Sequence, residues 1–136
     1  MLPKTHIFLG AIFSFFCFIL FPKIGMLGFL IIFLSSVLID VDHYLVYIFH
    51  CGDFSLKKAY VCLKTRRPIK ENWRFIMFLH GIEIFIILAL VSLVSRIFLF
   101  ILIGFLFHFS LDIISEFYDK TIKERKFFLL KFIYGE

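Results

Sequence analysis

The stretch GFLIIFLSSVLIDVDHYL, residues 28–45, decides how the chain folds. It contains no charged side chain until Asp40, and it then places Asp42 and His43 directly beyond. The apolar segment to which it belongs runs from about Gly25 to Asp42, a length typical of a helix that spans or nearly spans a membrane. Burial in lipid gives no reason for two carboxylates and an imidazole at its end, so these side chains call for a functional explanation.

The composition of the whole chain is that of a membrane protein. Hydrophobic residues make up 62% of the 136 residues, and the chain has 22 Phe. A soluble domain of this size would expose large apolar patches, which soluble monomers avoid. The formal net charge of +5 therefore favours contact with anionic lipid over binding to nucleic acid. The three cysteines show no zinc-binding spacing.

The sequence predicts an all-α fold, an integral membrane four-helix bundle that forms one domain over residues 1–136. The helices are predicted at about residues 6–21, 25–49, 73–94 and 97–117, each long enough to span or nearly span a bilayer core of about 30 Å. A short interfacial helix is predicted at about 54–66, between the second and third helices. A further interfacial segment is predicted at about 120–134.

The basic residues predict the orientation in the membrane. All of the 15 Lys and Arg residues except Lys23 and Arg96 lie in the termini or in the connection between the second and third helices. Four helices place these three segments on one side. Because positive charge is retained in the cytoplasm, both termini are predicted to be cytoplasmic, with the protein in the inner or plasma membrane.

Ionisable residues of all four predicted helices lie at one depth, in the cytoplasmic half. Within this layer His80 and Glu83 are three residues apart, and His108 and Asp112 are four apart, so each pair is predicted to share a helix face. Asp40 shares a face with His43, whereas Asp42 points to the opposite side unless the helix loosens there.

Imidazoles and carboxylates that converge from several helices predict a divalent metal site, with zinc as the first choice and manganese or iron as alternatives. The cation would offset the buried carboxylates. The predicted ligands are His6, Asp40, His43, His80, His108 and Asp112. Glu83 and Asp42 are predicted as catalytic residues, although the pattern leaves open which of Asp40 and Asp42 contacts the metal.

Three motifs resemble those of the membrane-bound metal-dependent hydrolases, also described as LexA-binding, inner-membrane-associated hydrolases. THIFLG supplies His6, IDVDH supplies Asp40, Asp42 and His43, and FHFSLDIISEF supplies His108 and Asp112. Two features depart from the family pattern: Ile39 replaces a proline, and FLHGIEIF stands in place of a His-rich motif. The resemblance implies a metal-dependent hydrolase and, as a regulatory partner, LexA.

The function predicted from these observations is hydrolysis of phosphoesters, with a lipid-linked phosphate as the suggested substrate and Arg66, Arg67 and Lys70 as the residues that hold it. One alternative is a subunit of a divalent-cation transporter or channel, for which the outer half of the membrane lacks polar groups. Another is a membrane protein with a structural metal. Membrane lipids are the predicted partners, and a homo-oligomer is compatible with the sequence.

Overall fold

The computed structural model describes residues 3–65 and 78–118, which are helical and contain no strand. The α-helices are α1 (Pro3–Leu20), α2 (Gly25–Leu38), α3 (Val41–Cys51), α4 (Leu56–Thr65), α5 (Ile82–Ser92) and α6 (Arg96–Tyr118). Short 3-10 turns cover Pro22–Ile24 and Phe78–His80. The prediction of an all-α fold is therefore confirmed for the described residues. The predicted segment at 120–134 lies outside them.

Helix α6 occupies the centre of the described bundle and packs against α1, α2 and α5, while α3 packs against α4. The cluster of buried apolar side chains is small and is built around Ile39, Phe85 and Phe105. Much of the remaining interior is polar, because Ser14, Ser36 and several His and Asp side chains are buried. Large apolar side chains on every helix instead face outward.

Two helical segments are long and apolar enough to cross a membrane, Pro22–Phe49 and Arg96–Tyr118. The apolar helices Lys4–Leu20 and Ile82–Ser92 are shorter. At about 1.5 Å per residue, the 11 residues of α5 extend only about 17 Å, roughly half of a bilayer core.

Two of the predicted helices differ from those observed. The predicted helix 25–49 is divided into α2 and α3 by a turn at Ile39 and Asp40. Residues 73–77 of the predicted helix 73–94 lie outside the described residues, and the described remainder is interrupted at Gly81, whose backbone is extended at φ −73° and ψ 140°. Since His80 lies before this interruption and Glu83 after it, the prediction that they share one helix face is wrong.

The connection between α3 and α4 is held by local hydrogen bonds. Gly52 ends α3 in the left-handed conformation at φ 61°, and its N–H donates to the Ile48 carbonyl at 2.9 Å. Asp53 accepts hydrogen bonds from the Ser55 N–H at 2.9 Å and from Lys58 Nζ at 2.8 Å. The bond from the Lys58 ammonium lowers the pKa of Asp53 below its ordinary value.

Candidate metal centre

The six predicted metal ligands meet in one place, although they come from different helices and turns. They form three overlapping groups, in each of which one nitrogen or oxygen atom per residue lies within 4.8 Å of the others. The groups are His6–Asp40–His108, Asp40–His43–His80 and His80–His108–Asp112. Buried His and Asp groups that could hold a metal ion are therefore present, as the sequence predicts.

The cluster is buried on one side and open on the other. His6 and His108 are 2% and 1% exposed, and His80 is 5% exposed. The side chains of Asp40 and His43 retain 26% and 23% exposure. The edge formed by Asp40 and His43 is therefore the more exposed side of the cluster.

The turn between α2 and α3 explains how Asp40 and Asp42 can both contribute. The Asp40 N–H donates to the Val37 carbonyl at 3.4 Å, and the His43 N–H donates to the Asp40 carbonyl at 3.2 Å. These bonds span three residues, so the backbone is wound more tightly than an α-helix, in which each bond spans four. The tighter winding changes the relative directions of the two carboxylates. The backbone therefore departs from an α-helix here, as the sequence allows, but it becomes tighter and not looser.

The same turn releases a backbone acceptor for the centre. In a continuous α-helix the Ser36 carbonyl would accept the Asp40 N–H. Here that N–H bonds to Val37, and the Ser36 carbonyl lies 2.7 Å from Nδ1 of His108. Because a carbonyl can only accept, His108 donates through Nδ1, and its neutral imidazole carries the lone pair on Nε2.

Asp42 orients two other imidazoles in a similar way. Its Oδ1 lies 2.6 Å from Nδ1 of His43, and its Oδ2 lies 2.9 Å from Nδ1 of His80. The Leu79 N–H also donates to Oδ2, at 3.3 Å. An ionised carboxylate only accepts, so both rings donate through Nδ1 and present Nε2 to the cluster. Carboxylates hold metal-binding imidazoles in this manner, so the geometry suits Asp42 to orienting the two rings and leaves Asp40 as the candidate ligand.

Several buried nitrogen atoms of the cluster make no hydrogen bond within the described part of the chain. They are Nε2 of His80, Nε2 of His108 and Nδ1 of His6. Buried polar atoms without a partner are rare in folded proteins, since each costs about 1–3 kcal/mol. A cation that accepts the two Nε2 lone pairs would remove that cost for His80 and His108.

The distances between these atoms fit metal ligands better than hydrogen bonds. Nε2 of His108 lies 3.4 Å from Oδ1 of Asp40 and 3.6 Å from Oδ2 of Asp112, and Nε2 of His80 lies 3.6 Å from the same Oδ2. A hydrogen bond between nitrogen and oxygen is usually about 2.7–3.2 Å long. Two ligands of a tetrahedral zinc ion, each about 2.0–2.1 Å from it, are about 3.3–3.4 Å apart. The donor set therefore fits a divalent cation.

Small residues one helical turn from the ligands bring the helices together. Gly10 follows His6 on α1, Ser36 precedes Asp40, and Gly104 precedes His108 on α6, each by four residues. A Cβ atom on Gly104 would overlap Ser35 Oγ and would lie 2.5 Å from the Ile32 carbonyl oxygen. A Cβ atom on Gly10 would lie 2.5 Å from Ser36 Oγ. Glycine at these positions therefore permits the close approach of α1, α2 and α6 at the cluster.

The other predicted site residues do not join the three groups. Glu83 is half-buried in the first turn of α5. Arg66, Arg67 and Lys70 lie outside the described residues, so their prediction as substrate-binding residues stays a prediction. Sequence reasoning missed the Ser36 carbonyl entirely, because no Pro or Gly marks the turn that exposes it.

The chain was also compared with known proteins. No family model, curated protein or solved structure matches it.

Proposed function

We propose that this protein is a membrane-embedded, metal-dependent hydrolase of phosphoesters whose active site faces the cytoplasm. The observation that carries the proposal is a buried cluster of imidazoles and carboxylates with unpartnered Nε2 atoms, open to solvent at the Asp40 and His43 edge. The resemblance of three motifs to membrane-bound metal-dependent hydrolases supports the same reaction class. Zinc is the cation that we propose first, with manganese or iron as alternatives.

The proposed membrane location accounts for the distribution of apolar and polar side chains. Two helical segments have the length and composition for a membrane span. Side chains such as Phe15, Leu27 and Ile87 are more than half exposed, while His and Asp side chains are buried. Lipid removes the cost of exposing the apolar surface. The arrangement that we propose is a four-helix membrane bundle with cytoplasmic termini, in which α1 and α5 accompany the two longer spans.

Each residue of the cluster has a proposed task. The residues that would hold a divalent cation are His6, Asp40, His43, His80, His108 and Asp112. When bound, the cation would lower the pKa of a coordinated water to about 7 and would polarise the phosphoryl oxygen. Asp42 and the Ser36 carbonyl hold His43, His80 and His108 in the tautomer that offers Nε2. Outside the cluster, in the first turn of α5, Glu83 is the residue that we propose takes the proton from the attacking water.

We propose a lipid-linked phosphate as the substrate. The site lies at the end of the predicted spans that carries the positive charge, at the level of lipid headgroups. Arg66, Arg67 and Lys70 follow α4 in the sequence and supply donors for phosphate oxygens. An ester at the membrane surface would reach the cluster along the Asp40 and His43 edge.

A structural metal and a transport pathway fit the geometry less well. A structural site closes its coordination shell with buried protein ligands, whereas Asp40 and His43 stay partly exposed. A transport pathway needs polar groups at every depth. In the described residues the His and Asp groups gather near the end of α2, near the start of α1 and in the second half of α6, which favours an enzyme that works at one membrane surface.

The test is a hydrolysis assay on detergent-purified protein with a chromogenic phosphodiester and with phosphatidic acid in mixed micelles. We expect activity that is lost with a chelator, restored with zinc or manganese, and abolished in His108→Ala. Ser110→Ala is the matched control, because Ser110 is exposed on the same helix. Metal-loaded, folded protein without activity on any phosphoester would reject the proposed reaction.

A further inference from the structure

We infer that the cluster holds a pair of divalent cations, one on the His6–His108 side and one on the His43–His80 side, with Asp40 and Asp112 shared between them. This inference rests on the proposed metal-dependent function and goes beyond it. It concerns the number of ions and the division of ligands, neither of which follows from the presence of a metal.

The first argument comes from the number of donors. Six residues belong to the groups, whereas a tetrahedral zinc ion needs only four ligands. The six divide into three overlapping groups of three that share Asp40, His80 and His108. Because the groups overlap only in part, the donor atoms extend over a longer site than the coordination shell of a single ion would occupy. Paired catalytic ions lie about 3.5–4 Å apart, which is the scale of such a series.

The orientation of Asp112 provides the second argument. Its Oδ1 lies 3.2 Å from Nε2 of His6, while its Oδ2 lies 3.6 Å from Nε2 of His80 and 3.6 Å from Nε2 of His108. The two oxygens of one carboxylate therefore face different imidazoles. Oδ2 lies equally far from one imidazole of each proposed ion, so Asp112 is within reach of both ions.

Asp40 and the imidazoles complete a matching arrangement. Asp40 belongs both to the group with His6 and His108 and to the group with His43 and His80. The rings of His6 and His108 stack with centroids 4.0 Å apart, which places both side chains on the same side of the cluster. The rings of His43 and His80 lie 5.0 Å apart and share Asp42 as their acceptor. Each proposed ion thus has two imidazoles and a share of two carboxylates.

Charge gives the third argument. The three aspartates carry three negative charges when ionised, and one divalent cation would leave the centre with a net negative charge. With Glu83 ionised as the proposed base, the four carboxylates balance two divalent cations, so a pair of ions removes the net negative charge that would repel an anionic phosphoester. A pair of ions is therefore consistent with the proposed substrate class.

Metal content per chain tests the inference without an activity assay. Metal-stripped, detergent-purified protein is reloaded with zinc, desalted and measured by elemental analysis. We expect two zinc ions per wild-type chain, and about one in His6→Ala and one in His43→Ala, because each variant removes a ligand of a different ion. His6→Gln and His43→Gln serve if an alanine variant does not fold, with circular dichroism as the check on folding.

Loading with Mn(II) gives an independent readout by electron paramagnetic resonance. We expect the exchange-coupled spectrum of two nearby ions in the wild type and an uncoupled spectrum in both single variants. One ion per wild-type chain, lost in both variants, would overturn the pair and leave the proposed metal-dependent function intact. Folded wild-type protein that binds no metal would overturn both.

Discussion

Replacement of Gly104 by alanine is expected to weaken metal binding although residue 104 is not a ligand. A Cβ atom at this position would lie 2.5 Å from the Ile32 carbonyl oxygen and 3.0 Å from the Ser36 nitrogen. Both are backbone atoms, which cannot rotate away. To reach an ordinary contact of about 3.4 Å, α2 and α6 must separate by roughly 0.9 Å.

That separation acts directly on the cluster. His108 lies one turn beyond Gly104 on α6, and Asp40 follows α2, with Nε2 of His108 now 3.4 Å from Oδ1 of Asp40. Metal–ligand distances tolerate about 0.2 Å, so a shift of roughly 0.9 Å exceeds the tolerance several times. Overpacking costs about 1–3 kcal/mol of stability, offset by about 1 kcal/mol from the better helix propensity of alanine. We therefore expect a modest loss of stability and a 10- to 100-fold loss of zinc affinity.

The assay is competition for zinc between purified protein and a chelator of known affinity, with circular dichroism to establish that the variant is folded. Ser110→Ala is the control, since it places an alanine on the exposed side of the same helix. Folded Gly104→Ala protein that binds zinc as tightly as the wild type would refute the reasoning. An equal loss in Ser110→Ala would refute it as well.

Three further predictions concern the same centre. Asp42→Asn is expected to lower zinc affinity 10- to 100-fold in the same competition assay, because it releases the rings of His43 and His80. Asp53→Asn is the control and should leave affinity unchanged, since Asp53 is a partly exposed carboxylate in the loop after α3. At pH values below about 6, the zinc content of samples desalted at each pH should decrease, because protons then compete for the imidazoles that must be neutral to bind the metal. A zinc content that stays constant down to pH 4.5 would exclude histidine ligands. Gly10→Ala should lower the thermal unfolding temperature through its overlap with Ser36 Oγ, and Gly10→Ala combined with Ser36→Ala should recover it, since the remaining Cβ contact is an ordinary 3.6 Å.

Much of the candidate site follows from the sequence because helical rise fixes depth. His6, Asp40, His80, His108 and Asp112 could be placed in one layer by counting residues from the predicted helix ends. Helical spacing also relates His108 to Asp112 correctly, since both are buried on one continuous helix. These inferences need only the helix geometry and the order of the segments.

The local backbone at the site could not be predicted in the same way. No proline or glycine marks the turn at Ile39 and Asp40. The turn is stabilised by tertiary hydrogen bonds, because the Ser36 carbonyl accepts from the His108 ring and Asp42 accepts from two imidazoles. Gly81 did mark a break before α5, but glycine is also tolerated inside membrane helices, so the pattern favoured continuity. Contacts between distant segments decided both cases.

Zinc K-edge X-ray absorption spectroscopy of the purified, zinc-loaded protein tests the central claim most directly, because it reports the atoms bound to the metal. The described geometry predicts a shell of nitrogen and oxygen at about 2.0–2.2 Å with the outer-shell scattering of imidazole, and a loss of imidazole scattering in His108→Ala. A shell with sulfur at about 2.3 Å would assign the metal to Cys17, Cys51 or Cys62 and contradict the claim. A spectrum that His108→Ala leaves unchanged would contradict it equally.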